Sequence, residues 1–144
     1  MTTTREMLDA SPIDVPFDVA EVAAAIDACL DCSQACVADA DADLVEPDVA
    51  EMRTCIALCL NCADLCDTTA RFLSRPAQWD HFAVNHLLRA CVRVCTTCAE
   101  ECARHADHHA HCAACEKTCR ACIRACSALL DAEALEELQK LGGA

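Results

Sequence analysis

The sequence predicts an all-α protein: an antiparallel up-down-up-down four-helix bundle with a cysteine-lined core, and short extra helices at both termini. Three observations predict it. The 144 residues include only 2 Gly, 4 Pro and 3% aromatics, amid abundant Ala and Leu, a mixture that favours helix. Sixteen cysteines fall into four groups along the chain. Within each group the spacing alternates three and four residues, which sets every cysteine of the group on one stripe of its helix.

Residues 1–17 form an N-terminal segment, with a short helix over Thr3–Ala10. The first bundle segment runs from about Asp18, just after Pro16, to Asp41, and carries Cys29, Cys32 and Cys36. The second runs from Pro47, a proline suited to a first helical turn, to Ser74, with Cys55, Cys59, Cys62 and Cys66. Arg75-Pro76 breaks the chain before the third, Asp80 to Arg104, with Cys91, Cys95, Cys98 and Cys102. The fourth, His111 to Leu130, holds Cys112, Cys115, Cys119, Cys122 and Cys126. The bundle therefore spans residues 18–130. In residues 131–144, Glu133–Leu141 reads as an amphipathic tail helix ending at Gly142-Gly143. Alternating three and four is the seam periodicity of a bundle, with Cys written where Leu or Ile ordinarily sits.

Charge narrows the function. The net charge is −13, and the first 51 residues hold thirteen acidic side chains against Arg5 alone. That balance excludes nucleic acid and anionic membrane surfaces as partners. No run of about 18 apolar residues is present to span a bilayer. The start, MTTTREMLDASP, lacks the basic and apolar regions of an export signal. The expectation is a cytoplasmic chain with reduced thiols. No nucleophile–base–acid set stands out, so an enzyme is not expected.

Cysteine elsewhere is a small buried hydrophobe, but sixteen on inward stripes would leave a core of Leu-sized positions underfilled. A bound metal accounts for the pattern. Thiolate-only sites select Cu(I), Zn(II) or iron–sulfur clusters. Zinc prefers closed tetrahedra built from separate Cys-x-x-Cys turns, and iron–sulfur ferredoxins use irregular loops. Cu(I) accepts two or three soft ligands, so a Cys-x-x-x-Cys pair along one helix serves it. One monovalent ion per thiolate also neutralises a column of buried charge. The expected cargo is multiple Cu(I) ions per chain, roughly one per cysteine. A zinc or iron–sulfur protein of the metallothionein or ferredoxin kind is the alternative.

These Cys-x-x-x-Cys and Cys-x-x-Cys stripes in all four helices, over residues 18–130, resemble the bacterial copper storage protein family. The resemblance implies a four-helix bundle filled with Cu(I), assembled as a homo-tetramer, with copper ions and a copper chaperone as partners. The lack of an export signal matches the cytosolic branch, in which histidines stand at the open end of the bundle.

The two ends of the tube differ. One gathers His105, His108, His109 and His111, with Met52 three residues before Cys55 and an acidic turn over Asp39–Asp48. His105 and His109 continue the stripe beyond Cys102, and imidazole and thioether are both usable Cu(I) ligands. The other end holds Phe72, Leu73, Trp79, Phe82, Leu87, Leu88, Leu129 and Leu130, with Val22 and Ile26. It reads as a hydrophobic seal.

Overall fold

A computed structural model describes residues 2–131 and Lys140. The described residues contain helices and turns and no strand. The tail helix expected over Glu133–Leu141 lies outside them, apart from Lys140.

Helix α1 (Thr3–Ala10) starts at Thr2, whose hydroxyl accepts the Arg5 N–H. It lies on α2, burying Leu8, while the Thr4 hydroxyl donates to Asp27 at 2.6 Å. Helix α2 (Val19–Leu44) begins at Asp18, whose carboxylate accepts the Glu21 N–H and satisfies one of the free donors of the first turn. Helix α3 (Arg53–Leu73) begins later than Pro47; the chain takes a 3-10 turn over Val49–Met52 first. A second 3-10 turn, Pro76–Gln78, leads to α4 (His81–His105), where Asp80 accepts the Ala83 N–H at 2.9 Å. Helix α5 (Ala110–Ser127) follows after a short turn.

Helix α2 packs on α3 and α5, and α4 packs on the same two. Consecutive helices are neighbours and the ring closes between first and last, the expected up-down-up-down order. All sixteen cysteines are buried. Val22, Ile26, Leu73, Leu88, Leu129 and Leu130 close one end of the core, joined by Val84. Trp79 covers them in part; its indole N–H donates to the Phe72 carbonyl at 3.3 Å, and Phe17 meets its ring edge-on.

Phe82 does not belong to this seal. It is 74% exposed and lies against the His86 ring. The inward positions of α4 are Val84 and Leu88, and Phe82 stands two residues before Val84, about 200° around the helix.

Candidate metal centre

The sulfurs form a continuous ladder. From the closed end, Cys126 and Cys122 each approach Cys29 at 3.6 Å, and Cys122 reaches Cys66 at 3.9 Å. Cys66 contacts Cys95 at 3.4 Å and Cys91 at 3.9 Å. The path continues through Cys62, Cys32, Cys119 and Cys36 in steps of 3.6–3.8 Å. Cys36 meets Cys115 and Cys98, and Cys98 leads to Cys59, which touches Cys55 and Cys102. Every cysteine except Cys112 belongs to this chain of contacts. Along α5, Cys112 to Cys126 spans about 21 Å of helix axis at ~1.5 Å per residue.

Sulfurs this close fill the axis themselves, so the core is not the underfilled space that side-chain volumes alone led us to expect. An ion enters by replacing S–H···S contacts. Bonds of about 2.3 Å to a trigonal ion separate its sulfurs by about 4.0 Å, close to the spacing already present. The pairs within one helix, Cys32/Cys36, Cys55/Cys59, Cys62/Cys66 and Cys122/Cys126, stand at 3.9–4.0 Å. Cross-helix pairs are as close or closer. Four-sulfur groups with all sulfurs within 4.8 Å include Cys29/Cys66/Cys91/Cys122, one from each helix, and Cys32/Cys66/Cys95/Cys122. The two share Cys66 and Cys122, so they cannot both be separate tetrahedra. Shared thiolates suit bridging between ions.

Neighbouring thiols also control each other's protons. The hydrogen bond between Cys122 and Cys126 holds the Cys122 thiol low and pushes the Cys126 thiol up. A thiolate formed at one sulfur is stabilised by the S–H beside it, which then resists ionising.

The other end is polar. Helix α2 runs three residues past Asp41, to Leu44, so Asp39 and Asp43 are helical and inward, not part of a solvated turn. Both are buried. Asp39 Oδ2 accepts from Cys59 at 3.4 Å, Cys102 at 3.5 Å and Cys55 at 3.8 Å, capping the ladder. Its Oδ1 meets His111 Nδ1 at 2.5 Å. His111 Nε2 faces Glu46 at 2.9 Å, Glu46 faces His109 Nδ1 at 3.4 Å, and His109 Nε2 faces Asp48 at 3.1 Å. Alternating carboxylates and imidazoles thus run from the outermost thiols of the ladder to solvent. Burial raises the Asp39 carboxyl against the opposing His111 bond. Burial, then the nearby Cys55 thiol and Asp39, push Asp43 up to about 7. Asp48 raises His109, and the Asp39 and Glu46 bonds raise His111 against desolvation.

The three histidines gather at this end by different routes. His105 is the last residue of α4 and pairs with Glu101 at 3.1 Å. Because α4 stops there, His109 does not continue its stripe; it is the N-cap of α5 and stacks on His111 at 5.4 Å. Met52, in the 3-10 turn, is fully buried in the same core. Sequence reasoning missed Asp39 and Asp43 as inward residues, although the α2 stripe predicts them: Cys29, Cys32 and Cys36 step on by three and four to Asp39 and Asp43.

A four-helix tube sealed by leucines, lined with thiols and opened by imidazoles and carboxylates defines a class: a protein that holds soft metal ions in bulk. The chain belongs to the copper storage protein family, whose sequence pattern matches residues 18–131. It is similar to the copper storage protein Ccsp of Streptomyces lividans loaded with 10 copper equivalents: 44% identity over 89% of this chain and 98% of that one, TM-score 0.87. A five-copper form of the cytosolic copper storage protein from S. lividans is 47% identical over 77% of this chain and 92% of its own, TM-score 0.76. A form of Ccsp with two histidines replaced by alanine is 45% identical over 78% and 95% of the two chains, TM-score 0.78. No curated protein matches.

Proposed function

We propose that the chain stores multiple Cu(I) ions on its sixteen thiols, roughly one per thiol, and exchanges them through the histidine end. The observation that carries this reading is the unbroken ladder of sulfurs spaced 3.4–4.0 Å apart. Each thiol that takes a Cu(I) releases one proton, so thiolate and ion cancel and the buried column stays neutral. All sixteen cysteines act as ligands: Cys29, Cys32, Cys36, Cys55, Cys59, Cys62, Cys66, Cys91, Cys95, Cys98, Cys102, Cys112, Cys115, Cys119, Cys122 and Cys126. His105, His109 and His111 pass ions inward, and Met52 offers a thioether beside the outermost thiols. The role is storage, without catalysis. The S. lividans relative described as cytosolic supports a cytoplasmic location, where a copper chaperone is the natural exchange partner.

Chains assemble as homo-tetramers in this reading. Leu30, Val37 and Leu44 recur every seven residues on the outer face of α2, each more than 40% exposed, and Leu60 of α3 is also exposed. An exposed apolar stripe of this kind suits a self-association surface.

Replacing His105, His109 and His111 together by alanine tests the direction of exchange. The variant is expected to load copper and to surrender it to a strong chelator more slowly, with total capacity nearly intact. Unchanged removal kinetics would place the mouth elsewhere.

A further inference from the structure

The connection from α2 to α3 carries a surface outside the bundle that copper binding does not use. It turns back on itself where the Val49 N–H donates to the Glu46 carbonyl at 3.1 Å. Val45 and Val49 flank that turn. Val45, at 82%, is the most exposed large apolar side chain among the described residues, and Val49 is 37% exposed. Residues 39–51 hold six acidic side chains and no basic one. Asp107, exposed in the turn between α4 and α5, adds a further acidic side chain at the same end. Between the valines in sequence stand Glu46 and Asp48, which face His111 at 2.9 Å and His109 at 3.1 Å. A body resting on the valines therefore lies one residue from the side chains that hold the way in.

We propose that Val45 and Val49, with the acidic side chains around them, form the docking surface for a protein that delivers Cu(I): a small donor whose copper-bearing tip is apolar and ringed by Lys or Arg. The inference rests on the storage reading, with exchange through the histidine end, and adds to it the surface and the chemistry of the partner. Three features select this occupant. Valine offers nothing to a hydrated ion, whereas covering it with another apolar surface removes both from water, which is favourable. A second copy does not fit, because it would set two strongly acidic rims face to face. A basic rim on the partner meets the acidic residues instead, which speeds encounter and fixes orientation. The patch is small, as suits a carrier that docks briefly and leaves. Once the donor is seated, Cu(I) passes by ligand exchange. The donor's thiolates recover the protons that the receiving thiols release, and copper remains Cu(I).

The test compares two copper sources supplied anaerobically to the reduced full chain: a small Cys-x-x-Cys copper chaperone loaded with Cu(I), and the Cu(I)–glutathione complex. Copper on each protein is measured after timed mixing and separation. Val45→Ser with Val49→Ser is expected to slow uptake from the chaperone about tenfold. Glu51→Lys with Asp107→Lys slows it too, and weakens its dependence on salt. Neither variant takes copper from glutathione more slowly than the parent. Equal slowing from both sources overturns the proposal, because the valines and acids would then act on the mouth and not on a docked protein. Unchanged uptake from the chaperone overturns it, as does a chaperone that delivers no copper to the parent. A smaller mass for the valine variant in sedimentation also overturns it, and assigns the valines to contact between copies. Should one variant lose helical circular dichroism, the other decides. Failure of the storage reading would look different: a low Cu(I) stoichiometry in the unsubstituted chain, whatever the source.

Discussion

Asp39 and Asp43 stand where the inward stripe of α2 runs out of cysteine, and they set how the copper-free protein responds to pH. Burial raises the Asp39 carboxyl, and Asp43 is raised to about 7. An acid whose folded value is raised stabilises the fold fully below its unfolded value, near 4, and loses that contribution as pH rises through the folded value. His109 and His111 are also raised, so their contribution is present below about 6.5 and is lost as pH rises. All four act in one direction. Thermal unfolding of the reduced, copper-free chain is therefore expected at higher temperature at pH 5 than at pH 7.5. Asp43→Asn, which mimics the protonated form, flattens that dependence. An identical slope in variant and parent would contradict the role given to Asp43.

At the scale of helices, the closed end carries stability and the ladder carries capacity. Leu88 is fully buried in the seal, and Leu88→Ala is expected to cost about 2–4 kcal/mol. Denaturant unfolding of the copper-free protein measures this. Its Cu(I) stoichiometry should match the parent's, and its far-ultraviolet circular dichroism should be strongly helical before and after copper. A copper-free chain without helical signal would contradict a preformed tube. These elements were readable because seam spacing is strict: one cysteine stripe per helix fixes each inward face, and Asp18 and Asp80 mark helix starts where expected. The ends of elements were less so. Pro47 reads as a first-turn residue, but the chain spends Val49–Met52 in a 3-10 turn. His109 fits the α4 stripe by spacing, yet no Gly or Pro marks the stop at His105. Phe82 reads as core because it is aromatic, although its register faces outward.

For the whole molecule, acidic surface and apolar stripe act together. The net charge of −13 keeps chains apart in general, so association must be confined to a specific face such as Leu30, Val37 and Leu44. Sedimentation of the unsubstituted protein is expected to give the mass of four chains, and Leu30→Lys with Val37→Lys a smaller species. A single-chain mass for the parent would remove the tetramer. The central claim is that the ladder, acting as one connected set of thiols, holds copper in bulk. Anaerobic titration of the reduced chain with Cu(I), against a chelator at known free copper, measures that claim most directly. The account predicts saturation at roughly one Cu(I) per thiol, about sixteen per chain, with zinc displaced from any thiolate it occupies in the ladder. Saturation at one or two ions per chain would contradict it.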